Sequence, residues 1–252
     1  APKPFQRFLA NSKDSETDGK TLALFGQLAW KVVSSVELAA GARYTHETKD
    51  SYFLQPYSHP IRVAQGIFSP GVTLPSAQTF NDWSPEVTLT WKPVDDVLVY
   101  GAYKTAYKSG GFSNGGINSK FSADPLADLT FNPEKARGFE GGIKSTILDN
   151  QLRLNLGVFS YAYDDLQVDF FNSPIFAFQT LTADARTKGI EVQLAGRVMP
   201  DLQVSLGYTL QDGKVLSRTT AALPGTKLSQ LPRHQFAAWA RYDVTKKIGL
   251  GL

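Results

Sequence analysis

No cysteine occurs in the 252 residues, which excludes disulfides and thiolate metal sites. No apolar run approaches the ~18 residues that a membrane-crossing helix requires. Neither sign of charge dominates: 26 basic and 23 acidic residues leave +3, which makes no electrostatic case for a nucleic-acid partner. The opening APKPFQRFLANSKDSETDG has no apolar core of signal-peptide type. A mean hydropathy of −0.20 does not argue against a membrane, because strands that cross one are only half apolar.

What the chain does have is alternation. In FEGGIKST, Phe139, Gly141, Ile143 and Ser145 share one face, and Glu140, Gly142 and Lys144 share the other. After a turn at Leu148-Asp149-Asn150, QLRLNLGVFSYAYD alternates again. Leu152, Leu154, Leu156 and Val158 oppose Arg153, Asn155, Phe159, Tyr161 and Tyr163. Segments of ~9–11 residues suit a tilted crossing of a bilayer by a strand. The same pattern recurs in TLALFGQLAWKV, VELAAGARYTHET, FNDWSPEVTLTW, VLVYGAYKTAYK, GIEVQLAGRV, LQVSLGYTLQ and PRHQFAAWARYD. About ten strands result, and their connections alternate between a short turn and a long loop.

Sorting of connections by length is what a transmembrane barrel does, with short periplasmic turns and longer extracellular loops. A soluble sandwich has no physical reason for it. The predicted fold is therefore an all-β, antiparallel transmembrane β-barrel. Residues 1–19 are expected to be a loop remnant and 20–252 barrel wall. The long loops are expected at 49–79, 109–136, 170–184 and 213–231. Trp30, Tyr44, Trp91, Tyr103 and Tyr242 are expected near strand ends, where aromatic girdles sit.

Charged side chains on the polar faces are Glu37, Arg43, Glu86, Lys104, Glu140, Lys144, Arg153, Glu191 and Arg197. An Arg or Lys facing lipid near the midplane costs ~2–4 kcal/mol, so these are expected to line the lumen. They would either pair with one another along the wall or dock a body inside it. Long-loop candidates for contacting a ligand are Tyr52, Phe53, Tyr57, Phe68, Phe112, Phe121, Phe171, Phe176 and Phe178, with Lys108 and Lys120 for an anionic one. The competing reading is that these aromatics simply pack the loops together. His46, His59 and His234 are scattered and lack metal-site spacing. The adjacent pairs Asp95-Asp96 and Asp164-Asp165 point apart in a strand or turn, which does not suit an acid/base couple. Gly110-Gly111 and Gly115-Gly116 lack the Lys-Ser/Thr of a phosphate loop. No catalytic residue, metal site or resident cofactor is expected.

Several phrases, taken in order, resemble the C-terminal half of the barrel of TonB-dependent outer-membrane receptors. They are YGAYKTAYKSGGFSNG, FNPEKARGFEGGIKS, LNLGVFSYAYDDLQV, GIEVQLAGRV and PGTKL followed by LPRHQFAAWARY. The SGGF phrase is most similar to the siderophore and pesticin-type branch. The resemblance implies a partial barrel, fewer than half of 22 strands, from which the plug with its TonB box and the closing strand are missing. It implies uptake of a ferric siderophore or a similar large nutrient, with iron only as part of the transported chelate. Implied partners are the protein's own plug, the TonB–ExbB–ExbD complex and outer-membrane lipid or lipopolysaccharide, in a Gram-negative outer membrane. Alternatives are a passive porin-like diffusion channel and a structural or adhesive barrel; a barrel phospholipase finds no Ser–His couple to rest on.

Overall fold

A computed structural model describes residues 9–66, 71–113, 120–173, 177–219 and 222–251. It is one ten-stranded antiparallel sheet. In chain order the wall strands are β1 (Asn11–Val33), β2 (Val36–Ser58), β3 (Thr73–Val94), β4 (Val97–Lys108), β7 (Glu134–Ile147), β8 (Leu152–Asn172), β9 (Ala177–Met199), β10 (Leu202–Val215), β11 (His234–Thr245) and β12 (Ile248–Gly251). Between β4 and β7 a separate two-stranded sheet pairs β5 (Gly111–Phe112) with β6 (Thr130–Phe131). Two single-turn helices complete the elements among the described residues. In α1 (Pro60–Ala64) His59 accepts from the Ile61 amide, and in α2 (Pro125–Leu129) Asp124 accepts from the Leu126 and Ala127 amides. Both begin with proline, whose missing N–H is no loss in a first turn.

Register carries the apolar faces into one continuous surface. Leu38 lies beside Trp30 and Leu89, Tyr103 beside Val87 and Phe139, and Leu156 beside Ile143 and Val192. The row continues through Tyr208 to Phe236. Much of this surface is accessible: Leu28 is 81%, Phe139 67% and Phe236 72% exposed. A belt of this kind has no core to enter; it is a surface built for an apolar solvent. Its lower border is Trp30, Trp91 and Tyr242, each three residues from its short turn. Its upper border is Tyr44 against Trp83 and Tyr103 against Phe139, with ring centroids 5.1 and 5.0 Å apart. From Trp91 to Trp83 the strand climbs ~26 Å at ~3.3 Å per residue. With a tilt of ~40° this is ~20 Å of height, near the ~25 Å apolar band of such barrels.

Several expectations are corrected here. Tyr44 and Tyr103 lie within strands rather than at their ends, because β2 and β3 continue paired as far as Leu54 and Thr73, and β4 and β7 as far as Lys108 and Glu134. The segment 49–79 is therefore largely strand. So is 170–184, where β8 and β9 pair out to Asn172 and Ala177. The supposed loop remnant is strand from Asn11 onward, paired to β2. The reason is common to all three. Above the belt neither face meets lipid, and polar residues such as Gln55, Ser58 and Gln179 are buried there, so the ladder persists without any hydrophobic alternation to announce it. The segment 109–136 is a folded insertion rather than an open loop.

Two irregularities shape the upper wall. Pro85 has no N–H to donate, and β3–β4 pairing runs only from Val94 to Glu86. The Thr105 hydroxyl donates to the Pro85 carbonyl at 2.8 Å, and beyond it the ladder between these strands stops. In β8 a bulge at Asp164-Asp165, with Asp165 at φ 55°, shifts the register against β9. After it, Leu166 and Val168 stand beside Ala183 and Leu181, on the polar rather than the apolar face.

Candidate functional site

The polar face is the inner wall, and all nine charged residues expected there fall on it by register. Their pairing is sparse. Lys104 Nζ lies 2.6 Å from Glu140 Oε1, and the Tyr161 hydroxyl donates to Glu140 Oε2 at 2.8 Å. The Lys144 ammonium sits 5.4 Å from the centroid of the Tyr100 ring. Gln27 donates to Glu86 at 3.4 Å, and Arg43 donates to the Thr45 hydroxyl at 3.2 Å. Among the described residues, Glu37, Arg43, Glu86, Lys144, Arg153, Glu191 and Arg197 make no ion pair. A stiffening ladder of ion pairs is thus absent from the described wall, and one pair stands where several were conceivable.

Sequence reasoning gave less weight to the inner aromatics, which the glycines organise. Gly138 lies under Tyr161, Gly142 under Tyr100 and Gly189 under Phe159. A Cβ on any of them would meet a backbone carbonyl and a ring within 3 Å. The flat rings lie over the backbone at these glycines. The signal was available: glycines on polar-face positions, with an aromatic residue one strand away.

Above the belt the walls interlock through side chains where the β3–β4 ladder has ended. Lys49 donates to the Ser109 hydroxyl at 2.7 Å and to the Gly110 carbonyl at 2.8 Å, and lies 3.0 Å from Glu47. The buried Asp82 carboxylate pairs with Lys135 at 2.8 Å and accepts from Ser84 at 2.7 Å. Tyr107 stands near Glu47 and Asp82; burial first, and then these two carboxylates, push its phenol up to about 12. The insertion between β4 and β7 is held from the far side as well. Gln167 donates to the Ser109 and Asn132 carbonyls at 2.9 and 3.0 Å, Gln179 to the Asp128 carbonyl at 2.7 Å, and the Thr180 amide to Ser113 at 2.8 Å.

The expected ligand-contacting residues are dispersed. Phe53 is buried, and with Phe112, Leu126 and Leu129 it lines a residual void of about 10 Å³, room for a single water at most. Tyr52 and Tyr57 lie in β2; the Tyr52 hydroxyl is 3.4 Å from Asp14, and Tyr57 stands beside Ser12. Lys108 ends β4 opposite Glu134. Lys120 lies over Gly66, and Phe121 is exposed. Phe171 and Phe178 face each other across the β8–β9 tip with centroids 5.2 Å apart. Phe68 and Phe176 lie outside the described residues. The three histidines serve locally: His46 meets Asn81 at 2.8 Å, His59 caps α1 and His234 meets Tyr208 at 2.8 Å.

A recess that none of these residues lines opens between the bulged part of β8–β9 and the β10–β11 connection. It holds about 620 Å³, within the size range of ligand pockets. Leu166, Val168, Phe170 and Leu181 form one side, and Lys227 and Leu228 belong to the other. It exists because the bulge turns three apolar side chains inward, an event the alternation could not foretell.

A sheet with one lipid-like face, one polar face and tall hairpins on one side is the wall of a membrane β-barrel. The chain belongs to the family described as TonB dependent receptor-like, beta-barrel, which it matches over residues 1–251. It is 25% identical over 218 residues to the probable TonB-dependent receptor BfrD of Bordetella pertussis, covering 85% of this chain and 27% of that protein. It is 26% identical over 193 residues to the catecholate siderophore receptor Fiu of Escherichia coli, covering 76% of this chain and 25% of that one. The chain thus spans about a quarter of the length of these curated relatives. Its fold matches the ferric yersiniabactin uptake receptor FyuA from Yersinia pestis, with a TM-score of 0.76 at 16% identity over 96% of this chain and 34% of that chain. It also matches the closed form of Fiu, with a TM-score of 0.73 at 21% identity over 94% of this chain and 34% of that chain.

Proposed function

We propose that this chain forms part of the wall of a Gram-negative outer-membrane receptor that takes up a ferric siderophore or a similar large metal chelate. The observation that carries the proposal is the inner wall, where seven charged side chains face a lumen without ion-pair partners among the described residues. A diffusion channel leaves such charges to water. An energised receptor fills its lumen with a plug, and unpaired charges of both signs are the complement a removable polar body needs. The iron is cargo, held by its chelator, and no covalent step is required of the wall. TonB would supply the force that displaces the plug. Two relatives carry compatible names: a catecholate siderophore receptor and a metal-pseudopaline receptor.

The recess at Leu166, Val168, Phe170 and Lys227 is where the chelate's organic periphery would rest against this part of the mouth. The test is a titration of the full-length protein with ferric catecholates, ferric hydroxamates, haem and cobalamin, read by tryptophan fluorescence. Saturable submicromolar quenching by one of them supports the receptor. Absence of binding, together with steady ohmic conductance in planar bilayers, replaces it with a passive channel.

A further inference from the structure

The inner face of the wall changes character at the bulge in β8. Below it, this strand turns Arg153, Asn155, Phe159 and Tyr161 inward. Above it, Leu166, Val168 and Phe170 stand in one file on that face, ~13 Å long at ~3.3 Å per residue. Leu181 stands opposite Val168 on β9, and the buried Ala183 and Val215 form the floor. Leu228 and Leu231 close the other side by folding over Gly213, where a Cβ would meet both. The recess of about 620 Å³ is thus an aliphatic slot, with Phe170 as the one aromatic ring among its lining residues. Its two charged residues are exposed at the rim. Asp169 accepts from the Thr180 hydroxyl at 2.6 Å. Lys227 stands opposite Lys214, which Asp212 already holds at 3.3 Å, and makes no ion pair of its own among the described residues.

We infer that the chelate taken up carries a linear aliphatic acyl chain, which lies along the file of Leu166, Val168 and Phe170. On the receptor function proposed above, which this inference presupposes, the cargo is an amphiphilic metal chelate. The lining selects a chain over a planar ring. Flat rings gain most from offset or edge-to-face aromatic partners, and the slot offers a single ring among aliphatic side chains. An extended chain advances ~3.5 Å per three bonds, so a slot of ~13 Å takes roughly ten carbons. Each methylene moved from water into it tightens binding by up to about fourfold. The iron-bearing head stays at the rim. There the ammonium of Lys227 attracts its anionic oxygens, while the Asp169 carboxylate is engaged by Thr180.

The experiment is isothermal titration calorimetry of the full-length protein in nanodiscs, with empty nanodiscs as the background for partition into lipid. The probes are ferric trihydroxamate and ferric tricatecholate chelates, each in acetyl, hexanoyl, decanoyl and hexadecanoyl forms, and decanoate alone. Affinity is expected to rise about a hundredfold from the acetyl to the decanoyl member. No further rise is expected at hexadecanoyl, because the slot is then full, whereas partition into lipid keeps growing with length. Val168→Asp is expected to remove about tenfold of that gain, and Val168→Ile to keep it. Heat-modifiable migration reports whether each variant is folded, and the chain-length series on the unaltered protein stands without any variant. Equal affinity of the acetyl and decanoyl members overturns the inference and leaves the receptor function standing. An unchanged gain in folded Val168→Asp, or decanoate binding as tightly as the decanoyl chelate, overturns it as well. Absence of binding by every chelate, acylated or not, overturns the receptor function itself and the inference with it, which separates the two failures.

Discussion

Gly138, Gly142 and Gly189 face the lumen in positions that no other residue fits. A Cβ on Gly138 would stand 2.3 Å from the Ser160 carbonyl oxygen and 2.5 Å from the Tyr161 ring. Gly138→Ala is therefore expected to destabilise the full-length barrel by about 1–3 kcal/mol, the cost of overpacking, as measured by urea unfolding in vesicles. Gly26→Ala is the control: nothing lies within 4 Å of its added carbon, and a change within about 0.5 kcal/mol is expected. Tyr107 makes a prediction of a different kind. Its phenol is raised from 10.0 to about 12 in the folded state by burial and by Glu47 and Asp82. The folded protein thus holds this proton more tightly than the unfolded chain does. The resulting stability is fully present below pH 10 and is lost as pH rises from about 10 to about 12. An ultraviolet tyrosinate titration is expected to show a late component that Tyr107→Phe diminishes by one residue's amplitude.

At the scale of the element, the bulge in β8 decides which way the upper hairpin faces. Asp165 holds φ 55°, which a β-branched residue strongly disfavours, so Asp165→Val is expected to close the bulge by a one-residue slip, and the alternation then turns Leu166, Val168 and Phe170 outward. The expected outcome is loss of the recess, increased binding of a hydrophobic dye and protease cleavage in the β10–β11 connection. The belt-forming part of β8 was legible in the sequence because Leu152 to Val158 alternate against polar residues. The bulge was not, since Asp164-Asp165 has the composition of an ordinary surface pair. The turn at Leu148-Asp149-Asn150 was legible as well, and all three residues take positive φ. The heights of β1, β2 and β3 were not, because Lys49 to Ser58 and Thr73 to Gln78 mix polar and apolar residues on both faces, with Gln55 and Ser58 as buried as Phe53, and show no hydrophobic period to read. Parity alone put the nine charges on one face, and the register keeps them together on the polar side. Which of them met an ion-pair partner depended on side-chain reach across strands, and among the described residues Lys104 and Glu140 did so.

For the molecule as a whole, one comparison tests the sidedness of the wall. Val192 lies mid-belt between Leu156 and Tyr208, while its neighbour Gln193 faces the lumen beside Asn155. Val192→Arg is expected to cost about 2–4 kcal/mol in bilayer unfolding, whereas Gln193→Arg is expected to cost little. The converse result would turn the barrel inside out and end the proposal of a polar lumen. The height of the hairpins has its own consequence for biogenesis. Strand β1 spans 23 residues, ~76 Å of chain, and its upper part carries Lys13, Asp14, Glu16, Asp18 and Lys20, with Glu47, Lys49 and Asp50 on β2. A barrel that enters from its short-turn side must send these charges ahead of it through hydrocarbon. Each resists the passage by a few kcal/mol, so the crossing requires a breach in the bilayer. Once the breach closes beneath the charged tips, the same barrier blocks the return. The wall then behaves as a rivet, set in one direction and held by what it had to push through.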